Sequence, residues 1–183
     1  MKAALVLFVF AVSAFAQDHA AIVTAQSACG PKTVTFDAKQ DITQHPTPQP
    51  EPDKAVVYVV EDLGQCSDCG GASFTPKDVE DAVVKVGMDG GWIGATRGNS
   101  YLWISAEPGE HHMCLNWQSS LAERSRAFAM INFTAEAGRI YYFRARLFPG
   151  GNGDYSFDLD PVSSDQGKYL VASSAFSISR PKK

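Results

Sequence analysis

Between Val84 and Trp117 the chain reads V-K-V-G-M-D-G-G-W-I-G-A and then S-Y-L-W-I-S-A-E-P-G-E-H-H-M-C-L-N-W, and this stretch constrains the fold more than any other. Asp89-Gly90 joins two apolar runs, and a two-residue turn of the primed type needs the positive φ that Gly and Asp accept. In Glu107-Pro108-Gly109-Glu110 proline presets φ at one position and glycine supplies positive φ at the next, the pattern of a type II turn. The stretch therefore predicts two successive hairpins. In the second, Trp103 is expected opposite Cys114. Tyr101, Trp103, Ser105, His112 and Cys114 would then share an outer face, with Leu102, Ile104, Met113 and Leu115 on the core face.

The remaining pattern is also that of strands. Ala55 to Glu61 (A-V-V-Y-V-V-E) is a continuous β-branched run, as expected of a central strand buried on both faces. Ala127 to Phe133, Ile140 to Leu147 and Tyr155 to Asp160 follow, separated by turn signals at Glu136-Ala137-Gly138 and Pro149 to Asp154, a spacing that suggests a sandwich or barrel. For the last pair the expected register sets Leu147 against Tyr155, Ala145 against Phe157, Phe143 against Leu159 and Arg144 against Asp158. Short helices are expected after Thr75-Pro76 and over Ser163 to Ser173, capped by Ser163 or Ser164, although Gly167 weakens the second by about 1 kcal/mol. The fold class is all-β, an antiparallel β-sandwich with one or two short helices.

Lys2, the apolar run Ala3 to Phe15 and Ala14-Phe15-Ala16 have the form of a signal peptide over residues 1–16, with cleavage before Gln17. That run is too short to span a bilayer, which takes about 20 residues. Gln17 stands where a lipid-anchored protein would have cysteine. A periplasmic or secreted protein without a transmembrane segment is expected. An N-terminal arm with one short strand, Thr33 to Phe36, occupies residues 17–43, a proline-rich linker with a solvated His45 residues 44–53, and the sandwich domain residues 54–183. Its 45% hydrophobic composition can fill one core without metal support. The formal net charge of −4, with basic residues clustered only at Arg180, Lys182 and Lys183, argues against nucleic acid as a partner.

Four cysteines in an exported chain point to disulfides. Of the three possible pairings, Cys66–Cys69 with Cys29–Cys114 is favoured, because the first pair shares a tight loop. The second bond would draw the arm across the outer face that carries Trp103. Cys66-x-x-Cys69 also has the form of a redox pair or half a zinc site, to which His112 and Cys114 could contribute, since they share a strand face whereas His111 points the other way. No thioredoxin-like context surrounds the pair, and export favours oxidised thiols, so neither a metal nor another cofactor is expected. Asp158 and Asp160 could act as paired carboxylates, but cross-strand pairing with Arg144 and Tyr142 explains them better. No nucleophile elbow or other catalytic motif is present, and an enzyme is not expected. Trp92, Tyr101, Trp103 and Tyr142 are the candidate ligand-binding residues, as flat rings that could hold a glycan or small ligand on a sheet face.

The order V-G-M-D-G-G-W-I-G, A-E-P-G-E-H-H, A-E-A-G-R-I-Y-Y-F-R and D-L-D-P-V-S-S-D-Q-G-K-Y-L resembles a bacterial envelope domain of unknown function, with the pattern Y-V-D-G, P-G-x-H and A-x-x-G-x-x-Y-Y. The likeness covers roughly Ala55 to Leu170. Its first half is similar to the surface domain named for its P-E-G-A motif. The resemblance implies a transthyretin-like or related sandwich, exported, with no catalytic residue to carry over. A structural or interaction role follows, with an envelope protein or a glycan as partner.

Overall fold

The computed structural model describes residues 23–62, 82–118, 128–149 and 155–183. The expected signal peptide, the expected Cys66–Cys69 pairing and the expected helix start at Thr75-Pro76 lie outside them.

Ten strands are described: β1 (Phe36–Asp41), β2 (Ala55–Glu61), β3 (Val83–Met88), β4 (Gly91–Arg97), β5 (Ser100–Ala106), β6 (Gly109–Trp117), β7 (Phe128–Ala135), β8 (Ile140–Pro149), β9 (Tyr155–Pro161) and β10 (Ala175–Pro181). They form a six-stranded sheet, ordered β1-β10-β5-β2-β8-β9, and a four-stranded sheet, ordered β4-β3-β6-β7. The sheets pack face to face, so the all-β sandwich is as expected. It is not wholly antiparallel, because β10 with β5 and β2 with β8 pair in parallel.

β2 lies between β5 and β8 and is buried throughout, the central place its apolar run predicts. Its alternate residues serve two cores. Val57 and Val59 meet Val84, Val86, Met113, Leu115 and Phe143 between the sheets, while Tyr58 and Val60 face outward beneath the helix Ser164–Ser173, against Tyr142, Leu170 and Val171. That helix is capped as expected, with Ser163 Oγ accepting from the Gln166 amide at 3.3 Å.

The Asp89-Gly90 hairpin forms, with φ of 53° and 83° at its two central residues. The second expected hairpin does not. β5 pairs with β2 and β10, and β6 with β3 and β7, so the chain at Glu107-Pro108 crosses from one sheet to the other. Leu102, Ile104, Met113 and Leu115 do share one core, but they meet across it instead of side by side. Trp103 is opposite Tyr58, and Cys114 is opposite Gly87 and Met130. Trp103 and Cys114 thus lie on opposite outer faces of the sandwich, and a bond at Cys114 cannot cover Trp103.

The register of β8 and β9 also differs from expectation by two residues. Ala145 pairs with Leu159, Phe143 with Pro161 and Arg144 with Asp160. A two-residue slip returns every side chain to the same face, which is why apolar still meets apolar and charge meets opposite charge. The first strand begins at Phe36, where the expected strand ends, because residues 29–35 are taken up in crossing the four-stranded sheet. The tail forms β10, which holds β1 on one side and β5 on the other. Ser177 Oγ donates to Ala95 O at 2.9 Å, and Ser179 Oγ accepts from the Ala95 amide at 2.9 Å. These bonds cover part of the exposed edge of β4, which would otherwise be open to pairing with another chain.

Candidate functional site

The chain before β1 is fastened across the outer face of the four-stranded sheet. Cys29 and Cys114 form a disulfide with Cα atoms 5.6 Å apart, as expected, and both are fully buried. The arm reaches the sheet closely because two glycines make room for Trp92. A Cβ at Gly30 or at Gly87 would lie 2.9 Å from the indole, and one at Gly87 also 2.9 Å from Cys29 O. The indole N–H donates to Pro31 O at 3.0 Å. Lys85 Nζ sits 4.3 Å from the Trp92 ring centroid and donates to Val34 O at 3.0 Å, a cation–π contact combined with a backbone bond. Burial pulls the Lys85 pKa down. Gln118 then brackets Phe36, accepting from its amide at 2.6 Å and donating to its carbonyl at 2.7 Å.

At the turn end of the same sheet, Asp89, Glu110, His111, His112, Asn132 and Phe133 line a cleft of about 460 Å³. Asp89 Oδ1 accepts from the His112 amide at 2.9 Å. His111 Nδ1 is 2.7 Å from Asp89 Oδ2, and its Nε2 is 2.6 Å from Glu107 O. Both ring nitrogens face acceptors, an arrangement that favours the doubly protonated ring. Burial draws the His111 pKa down, yet the Glu107 carbonyl and the Asp89 carboxylate outweigh it and hold it above the ordinary value. For Asp89 burial acts upward, and the His112 amide and His111 ring overcome it to hold the carboxyl low. His112 is tied separately, Nδ1 to Asn132 Oδ1 at 2.7 Å.

The opposite face, on the six-stranded sheet, is crossed by the proline-rich segment. It is extended, as its composition requires, but it is a strap laid on the domain and not a spacer. Tyr101 Oη donates to Pro46 O at 3.0 Å and Tyr58 Oη to Pro48 O at 3.3 Å. His45 is exposed, as expected, but it is also held, with Nε2 2.8 Å from Val171 O and its ring 5.1 Å from Tyr101. Tyr58 stacks on Tyr142 at 5.1 Å. Burial pushes the Tyr58 and Tyr101 phenols up to about 12.

The candidate ligand residues therefore divide between two faces. Tyr101 is fully buried and Tyr142 is 7% exposed under the helix, whereas Trp103 is 37% exposed. Trp92 is on the other face, beneath the arm. Asp158 and Asp160 do not form a free carboxylate pair, since Asp160 is engaged by Arg146, and Arg144 pairs with Asp62 at 2.5 Å. The cationic tail meets Lys39 and Arg97 at a cleft of about 750 Å³, with Lys182 Nζ 4.0 Å from Asp37.

Two buried charged residues, Lys85 and Glu61, are not singled out by the sequence pattern. Lys85 lies outward by alternation with Val84 and Val86, and Glu61 lies inward by alternation with Val57 and Val59. The alternation was the available signal for both. No known family, curated protein or solved structure matches the chain.

Proposed function

We propose that this protein is a non-enzymatic β-sandwich module, exported to the periplasm or secreted, with a structural or interaction role in the cell envelope. The observation that carries the reading is the buried Cys29–Cys114 cross-link, which fastens the segment before the first strand to the outer face of the four-stranded sheet. Bonds of this kind persist in oxidising compartments outside the cytoplasm. The apolar leader and the envelope-type order of motifs support the same assignment. Asp89 and Asp160 have structural partners in His111 and Arg146, and Glu61 is shut between the sheets, away from any substrate.

Cell fractionation should recover the mature chain, begun at Gln17 and oxidised, outside the cytoplasm. A reduced cytoplasmic protein would overturn the reading. So would turnover of any glycoside, ester or peptide in a broad panel, if a single Asp or His substitution abolished it. The partial exposure of Trp103 favours a second reading, a glycan-binding surface anchored on that ring. Trp103→Phe should then remove a fluorescence change produced by cell-wall fragments, and no change in the wild type at millimolar fragment excludes it.

A further inference from the structure

The disulfide has a neighbour, His112, with one ring nitrogen that the fold does not use. Cys29 Sγ, Cys114 Sγ and a ring nitrogen of His112 all lie within 4.8 Å of one another. His112 and Cys114 are two apart on β6, so their side chains stand on the same face. Asn132, the register partner of His112 on β7, accepts from Nδ1–H, which leaves Nε2 as the nitrogen with the free lone pair. Among the described residues that Nε2 is buried and has no hydrogen-bond partner, an arrangement a fold does not need for packing and ordinarily avoids.

We propose that the Cys29–Cys114 disulfide is the oxidised form of a Cys₂His site for a thiophilic divalent cation of the zinc class. A dithiol donor supplies two electrons, the S–S bond breaks, each sulfur takes a proton, and the donor leaves as its own disulfide. The cation then displaces both thiol protons and binds two thiolates and His112 Nε2, with a fourth position left open. Two thiolates on one tetrahedral zinc lie about 3.8 Å apart, a separation that cysteines with Cα atoms 5.6 Å apart can meet by side-chain rotation. Asn132 has the part that outer-shell acceptors commonly take, fixing the tautomer and ring orientation of the ligand. Oxidation and metal binding exclude each other, so the redox state would decide which cross-link holds the arm.

The test uses the full mature chain carrying Cys66→Ser and Cys69→Ser, which removes the other thiols. After reduction with a trialkylphosphine, Co²⁺ is titrated as a spectroscopic probe and Zn²⁺ is measured by competition with a chromophoric chelator. One Co²⁺ per reduced chain is expected, with thiolate-to-metal charge-transfer bands, and none for the oxidised chain. His112→Ala should weaken Zn²⁺ binding at least about 100-fold, and Asn132→Ala by about 10- to 100-fold, as outer-shell partners do. No stoichiometric binding by the reduced chain overturns the proposal, and so does equal affinity in His112→Ala, which would leave two cysteines binding adventitiously. Circular dichroism follows the fold. If reduction unfolds the chain, Zn²⁺ should restore it and His112→Ala should not be restored; failure of Zn²⁺ to restore the wild type counts against the site.

Discussion

Glu61 enters the space between the sheets, where it is fully buried, and among the described residues neither carboxyl oxygen has a hydrogen-bond partner. Burial pushes its pKa up from 4.5 to about 8, opposed by the nearby Thr96 hydroxyl and Gly98 amide. Both of those donors have other acceptors, Val84 O at 3.4 Å and Ala82 O at 3.0 Å. Because the folded value lies above the unfolded one, the native state holds the proton more tightly. The associated stability is fully present below about pH 4.5 and is lost as pH rises through about 8. At about 1.4 kcal/mol per pH unit across that window, about 5 kcal/mol disappears, roughly 4 of it above pH 5. Glu61→Gln preserves shape and cannot ionise. Thermal melts of wild type and variant should nearly coincide at pH 5 and separate by roughly 8–15 °C at pH 9, with about 2–4 °C per kcal/mol for a domain of this size. Parallel curves from pH 5 to 9 would show that the carboxyl reaches water or a cation, and would refute the argument from burial.

Replacing Cys29 and Cys114 together by Ser opens a crosslink spanning 85 residues, for which chain entropy gives roughly 4–5 kcal/mol. The melting temperature should fall by about 10 °C or more, and acrylamide should quench Trp92 more strongly while Trp103 is unchanged. Unchanged quenching of Trp92 would mean that the arm stays seated without the bond. Gly167→Ala should gain about 1 kcal/mol from helix propensity, but its Cβ would stand 2.1 Å from Tyr142 Cγ, and overpacking costs about 1–3 kcal/mol. A net loss in urea denaturation is expected, and a more stable variant would show that the helix is not seated on Tyr142. Asp89→Asn keeps a good primed turn but removes the anion beside His111. Since the Asp89 side chain is 48% exposed, the loss in urea denaturation at pH 6 should be about 1 kcal/mol or less, and no loss at all would count against the imidazolium assignment.

What was legible in the sequence is what a period of two can carry. Alternation placed Leu102, Ile104, Met113 and Leu115 in one core, and placed Cys114 and His112 together on an outer face, correctly in each case. The Asp89-Gly90 turn was legible because backbone chemistry at two residues decides it. Strand partners are a different kind of information. A hairpin at Pro108-Gly109 and a crossing between sheets bury the same four side chains, so the inward pattern cannot distinguish them. The β8–β9 register is degenerate in the same way, since Arg144 finds an aspartate in either pairing.

The face that the arm covers is subject to the same degeneracy. Cys29 and Cys114 pair as their chemistry predicts, yet the face the bond covers depends on which sheet carries β6. With β5 and β6 in separate sheets, arm and strap wrap opposite sides of one sandwich. The arm holds Trp92 against Gly87, and the strap holds Tyr58 and Tyr101. Each face is thus covered in part by residues that precede β2, the six-stranded face also by the helix Ser164–Ser173, so the fold is completed by non-local contacts of its first described segment. A chain organised in this way gains more from a bond at Cys29 than the loop entropy alone, because the same bond positions Pro31 and Val34 for Trp92 and Lys85. Adding Trp92→Ala to the cysteine double mutant should therefore cost much less than the same change in the cross-linked protein, a coupling a double-mutant cycle measures directly.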